Sequence, residues 1–169
     1  MKRTIYSLLT LMIATIFNVV AQEKAASPKV TVKGIIDGAN VEIVYSAPSA
    51  KGRKVMGSLV PYAEVWRTGA NEATTVEFDK NVKIEGKDVP KGKYELFTIP
   101  GENEWVVIIQ KYGKQWGHYS YKAENDVLRV NVKPGKTSGM IETFSITAEK
   151  DGVNMKWENI SVSFKVKGA

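Results

Sequence analysis

The chain has 169 residues, of which 24 are basic and 18 acidic, giving a formal net charge of +6, with one histidine and no cysteine. One domain of this size can bury a working core, and without cysteine it must do so without disulfides. The same counts exclude cysteine nucleophiles, Cys-rich or multi-histidine zinc centres within one chain, and a lipid-modified N-terminal cysteine. Basic residues are thinly spread and interleaved with acids, as in Lys87-Asp88 and Glu149-Lys150-Asp151, so the clustered face that nucleic acid requires is missing.

The N-terminus reads as an export signal. Lys2 and Arg3 precede a largely apolar run from Leu8 to Val20, and Val19-Val20-Ala21 offers small residues for cleavage before Gln22. The apolar run is short for a bilayer span and a polar segment follows it, so no transmembrane segment is expected in the mature chain. Residues 22–28 read as a flexible leader and 29–169 as a single β domain.

Val30 to Val32 and Asn40 to Tyr45 read as two strands joined across Asp37-Gly38, where both residues tolerate positive φ. Residues 47–57 are loop-like, with Pro48, Gly52 and Gly57 as breakers. The irregular stretch Pro61 to Thr75 (PYAEVWRTGANEATT) follows, and then the alternation of Thr74, Val76 and Phe78. Val82 to Ile84 is a short strand, and Val89-Pro90-Lys91-Gly92 suits a type I turn. Lys93 to Ile99 is apolar on both faces and therefore central, and Trp105 to Gln110 has the most buried composition of all. Lys111 to Asn125 (KYGKQWGHYSYKAEN) is a second irregular stretch. Leu128 to Val132, Phe144 to Ala148, Val153 to Trp157 and Ile160 to Val166 then alternate, with Pro134 to Gly139 as a polar loop and Lys150-Asp151-Gly152 as a hairpin signal. No segment after the signal sustains a helical period. About ten short strands with regularly spaced turns predict an antiparallel β-sandwich of jelly-roll type, with a closed barrel as the alternative.

The only histidine, His118, has no nucleophile-elbow motif to serve, and no Gly-rich phosphate loop precedes a helix. No cofactor or metal is expected: the acidic groups Glu102-Asn103-Glu104 and Glu124-Asn125-Asp126 lack a calcium-loop spacing and read as solvated turns. Carboxylate catalysis would need two facing acids, drawn from Glu64, Glu72 and Asp126. Trp105 and Trp157 lie on apolar strand faces and read as core. Trp66 and Trp116 lie in the irregular stretches, where a ring either stacks on a ligand or closes an end of the sandwich. Arg67 offers a planar fork for a carboxylate, supplied internally by Glu72 or externally by a ligand.

The strings Lys51-Gly52-Arg53, Gly57-x-Leu59-x-Pro61-Tyr62, Trp66-Arg67-Thr68-Gly69-Ala70-Asn71-Glu72-Ala73-Thr74 and Pro90-x-Gly92-x-Tyr94 with Phe97-Thr98-Ile99-Pro100 resemble one secreted bacterial family. It is catalogued as domain of unknown function 2911. The resemblance continues through Trp116-Gly117 and the region of Tyr121, Asp126 and Arg129, and covers nearly the whole mature chain. It implies an exported, mostly β single domain and brings no catalytic residue. One departure is Ala63, where Gly is common in the family after Pro-Tyr.

The residues therefore predict a non-enzymatic, exported β-sandwich that binds a small molecule, a glycan or an envelope protein. Its candidate binding residues are Trp66, Arg67, Asn71 and Glu72, joined by Trp116 and Tyr119. The alternatives are a carboxylate-dependent glycan enzyme and an assembly protein that uses an exposed sheet edge.

Overall fold

A computed structural model describes residues 26–169; the segment read as an export signal lies outside them. Ten strands follow in order: β1 (Lys29–Ile36), β2 (Ala39–Ser46), β3 (Thr74–Phe78), β4 (Val82–Ile84), β5 (Lys87–Val89), β6 (Gly92–Ile99), β7 (Trp105–Lys111), β8 (Asp126–Val132), β9 (Gly135–Glu149) and β10 (Gly152–Gly168). A 3-10 turn, Ala123–Asn125, precedes β8. The strands form two antiparallel sheets, one in the order β1-β2-β3-β6-β7-β8 and the other β5-β4-β10-β9. The architecture is a β-sandwich rather than a closed barrel. Among the described residues, no helix is long and apolar enough to cross a membrane.

Alternation decides which side chains meet between the sheets. From the larger sheet, Val41, Ile43, Val76, Phe78, Leu96, Val107, Ile109 and Val130 face inward, and Phe144, Ile146, Met155, Trp157, Val162, Phe164 and Val166 meet them from β9 and β10. Each such side chain, fully buried, contributes about 1.5–3 kcal/mol of apolar transfer free energy. The two sheets are also tied by a buried polar contact, the Ile146 amide donating to the Tyr45 hydroxyl at 3.1 Å.

Strand β6 lies inside the larger sheet, as its two apolar faces require, and both its faces are covered. Its outward Phe97 joins Ala73 and Ile108 in a second, smaller apolar cluster, with Val65, Ile99, Val106 and Tyr121 packed against it. The two irregular stretches close over this outer face.

The C-terminal third differs from the sequence reading. Residues 135–139, expected as a loop, belong to β9, and the two expected strands 153–157 and 160–166 are one continuous β10. The N-terminal half of β9 is exposed on both faces, so it carries no alternation to be read. The β9 edge is covered at its middle: Ala50 N donates to Glu142 O and Phe144 N to Pro48 O.

Candidate functional site

The stretch 61–75 starts as a displaced continuation of β3. Strand β3 begins pairing with β6 at Thr74 opposite Leu96, which leaves Thr98 without that neighbour. Trp66 takes the place: its amide donates to Thr98 O at 2.7 Å and its carbonyl accepts from Thr98 N at 2.9 Å. This register sends the Trp66 ring into the space between the sheets. There it stacks on Trp157 (centroids 6.0 Å apart, planes at 21°) and meets Phe144 and Trp105 edge-on. Its Nε1 donates to Gly69 O at 3.0 Å, so the indole is satisfied as well as buried, at 7% exposure.

Residues 67–73 form a tight excursion that returns the chain to β3. Thr68 (φ 54°) and Asn71 (φ 58°) hold left-handed conformations that reverse the backbone. The fully buried Thr68 hydroxyl meets the Thr98 hydroxyl, and Thr74 Oγ1 donates to Thr68 O at 2.7 Å. Gly69 fits against β2, where a Cβ would stand 3.0 Å from both Ser46 O and Thr74 Oγ1. These are the reasons for the Trp-Arg-Thr-Gly-Ala-Asn string: most of its groups are spent on its own geometry.

Arg67 is the exception. No carboxylate among the described residues lies within salt-bridge distance, and its Nε is buried with no hydrogen-bond partner. Burial pulls the guanidinium below its ordinary pKa, while the nearby Tyr119 phenol acts in the opposite sense. The expected internal pairing with Glu72 is not formed. The reversal at Asn71 carries Glu72 to another partner, Lys29 at 3.9 Å, where both side chains are substantially exposed. Asn71 serves the backbone: its carbonyl accepts from Gly117 N, and its Nδ2 donates to Ser27 O at 3.4 Å.

Arg67 lines a cavity of about 270 Å³ at one end of the sandwich. Trp66 and Trp157 contribute the apolar part, with Leu59, Val60 and Pro61 from the preceding turn and Val65 beside them. Arg53, Glu64 and His118 supply the remaining ionisable side chains. Arg53 is fixed by Ala50 O and Ser49 O, each at 2.9 Å. His118 Nδ1, like Arg67 Nε, is buried without a partner. The turn at 54–60 is itself held from β10, because the Glu158 carboxylate accepts from Val55 N and Met56 N at 3.3 Å each.

The second stretch, 111–125, is anchored on the outer face of the larger sheet by a polar network. Glu95, fully buried on β6, accepts from the Gln115 amide at 2.7 Å and from its Nε2 at 2.6 Å. Gln115 Nε2 also donates to Gln110 Oε1, and Gln110 Nε2 donates to Lys122 O and to Asp126 Oδ1. Asp126 then accepts from the Tyr121 hydroxyl at 2.7 Å and from Arg129 Nε at 2.5 Å. Burial and the Asp126 hydrogen bond push the Tyr121 phenol up to about 12, with Arg129 opposing. The backbone adds Ala73 N to Gln115 O and Gly117 N to Asn71 O, which lock the two stretches together.

From this held loop, Trp116 (63% exposed) and Tyr119 (81%) project outward. Tyr119 stacks on His118, with centroids 4.8 Å apart, and lies so close to Gly117 that a Cβ there would stand 2.9 Å from the ring. Of the six candidate residues, the structure thus makes Trp66 a core ring whose edge borders the cavity and Asn71 a backbone anchor. It puts Glu72 at the rim of a neighbouring cavity of about 140 Å³, which Glu95 also lines. Arg67 lies in the cleft, and Trp116 and Tyr119 stand on the adjoining loop. Arg53 and His118 were not among the candidates; the only sequence signal for His118 was its place inside the aromatic loop. Among the described residues, no three His, Asp or Glu side chains come together as metal ligands would.

A family model described as "Protein of unknown function (DUF2911)" matches residues 27–166. The chain belongs to this family. The match spans both irregular stretches and all ten strands apart from the last residues of β10. Comparison with curated proteins and with solved structures gives no match.

Proposed function

We propose that this member of the family is an exported, non-enzymatic binding module whose ligand carries an anionic group, received in the cleft between residues 53–70 and His118. The observation that carries the reading is Arg67: a partly buried guanidinium that has no carboxylate partner among the described residues and lines a cavity together with His118. A cation held partly out of water without a counter-charge is destabilised, so an anion entering the cleft offsets part of that cost. Export supplies the setting, through the basic-then-apolar N-terminus that precedes the domain.

A glycan-hydrolysing reading requires two carboxyls facing one bond. The Arg67 cleft is lined by one acid, Glu64. In the neighbouring cavity both Glu95 oxygens are committed to Gln115, which makes that acid an anchor for the loop. Binding is the reading favoured by these commitments.

Thermal unfolding of the mature protein with citrate as probe tests it. Citrate is expected to raise the midpoint of the wild type and to leave Arg67→Gln unmoved, since only a ligand bound to the native state stabilises it. Equal shifts in both proteins would remove Arg67 from the site and with it this function.

A further inference from the structure

We infer that the acidic ligand of this cleft is a saccharide, a hexuronate unit whose carboxylate pairs with Arg67 while the apolar face of its ring lies against Tyr119. The inference rests on the reading of the cleft as an anion site and adds the chemistry of the body that carries the anion. Three observations point to a sugar ring.

The first is the state of Tyr119. A solvent-exposed tyrosine ordinarily samples several rotamers, and holding it costs side-chain entropy on binding. Here the ring is already held, stacked on His118 and seated on Gly117, yet 81% of the residue is exposed. A fixed aromatic with open surface is a stacking platform prepared before the ligand arrives. Gly117 is what allows the seat, since any side chain at that position would collide with the ring.

The second is position. His118 lines the cleft together with Arg67, and Tyr119 stacks on His118 just outside that lining. One ligand can therefore meet both the flat ring and the guanidinium fork. The apolar faces of pyranose C–H groups suit the ring, and a planar carboxylate suits the fork. The cavity, at about 270 Å³, lies just below the range typical for drug-sized ligands, so it takes a single ring and leaves neighbouring units outside.

The third is what lies beyond the cleft. Trp116, 63% exposed, stands on the same anchored loop, and the exposed Lys111, Lys114 and Lys122 flank these aromatics in sequence, with Lys114 lining the neighbouring cavity and Lys122 3.9 Å from Glu124. Further uronate units leaving the cleft would meet cations and another open ring, an arrangement suited to an acidic polysaccharide rather than to an isolated small acid.

Isothermal titration of the mature protein with galacturonic acid trisaccharide, its methyl ester and citrate tests the inference. The trisaccharide is expected to bind at least about tenfold more tightly than its neutral ester, a preference lost in Arg67→Gln, and Tyr119→Ala is expected to weaken it by about tenfold. Tyr119 is exposed and Arg67 partly buried, so circular dichroism is used to confirm that each variant is folded. If citrate binds through Arg67 but the trisaccharide binds no better, or is indifferent to Tyr119→Ala, the saccharide is overturned and the anion cleft stands. If ester and acid bind alike, the carboxylate contact is overturned. If no acid depends on Arg67, both readings fall. An acidic peptide that binds more tightly than the trisaccharide overturns the sugar in favour of a peptide.

Discussion

Residues 61–75 and residues 111–125 are both irregular, both rich in aromatic and polar side chains, and hydrogen-bonded to one another, yet they spend those side chains in opposite directions. The first turns inward. Trp66 fills the end of the sandwich, and Thr68, Gly69 and Thr74 bond or pack within the excursion. The second is held from beneath by Glu95, Gln110 and Asp126 and leaves Trp116 and Tyr119 outside. The difference teaches that a dense motif in the sequence marks a demanding piece of backbone at least as readily as a binding surface. In the proposed binding role, the inward stretch supplies chiefly one guanidinium and the outward stretch an exposed ring.

The comparison breaks most visibly at Trp66. Trp66→Ala removes a ring stacked on Trp157 and touching Phe144 and Trp105, and is expected to cost about 3–5 kcal/mol in urea unfolding. A loss below 1 kcal/mol would mean that the ring is not the plug described. Gln115→Ala removes the Nε2 that donates to both the buried Glu95 carboxylate and Gln110 Oε1, with an expected loss of about 1–3 kcal/mol. Its backbone donor remains, so the effect should be smaller than at Trp66, and amide exchange should quicken along 112–122.

Tyr121 sharpens the same point through pH. Its phenol is raised in the folded state, so the native form holds its proton more tightly than the unfolded chain does. That contribution is whole below the ordinary tyrosine value near 10 and disappears as pH rises towards about 12. Stability measured from pH 9 to 12 should fall more steeply in the wild type than in Tyr121→Phe. Parallel curves would detach Tyr121 from the network.

Ala63 has φ 62°, a left-handed conformation that costs a residue with a Cβ about 1–2 kcal/mol. Ala63→Gly is expected to raise stability by up to about 1 kcal/mol, a gain reduced by the added freedom of the unfolded chain. The smallest effect belongs to Trp116→Ala. A ring so exposed should change stability by no more than about 0.5 kcal/mol, which would set it apart from Trp66 in the same assay.

Much of this fold was legible because burial leaves a period. Val41, Ile43 and Tyr45, or Phe144 and Ile146, announce their faces by alternation, and Trp105 and Trp157 were placed in the core by the same rule. Where burial is absent the signal is absent too, as along residues 135–143 of β9. In the irregular stretches the direction of a side chain depends on a partner far away in sequence. Trp66 points inward because Thr98 needs a neighbour, and Glu72 misses Arg67 because Thr68 and Asn71 take positive φ. Neither fact is carried by the spacing of letters. Arg67 was recognisable as a residue needing a partner, but not as one left without it among the described residues.

The Glu158 carboxylate, which holds the 54–60 turn by two amide bonds across about a hundred residues of sequence, has a consequence for timing. Both the turn that supplies Leu59, Val60 and Pro61 and the Trp157 ring that completes the cleft wait on the last strand. Contacts of such long separation form late, because the connecting chain must first surrender its freedom. A chain still being synthesised would therefore carry the motif without the cleft. In the proposed binding role, occupancy would begin only when β10 has docked, so a ligand would recognise finished molecules and pass over partial ones.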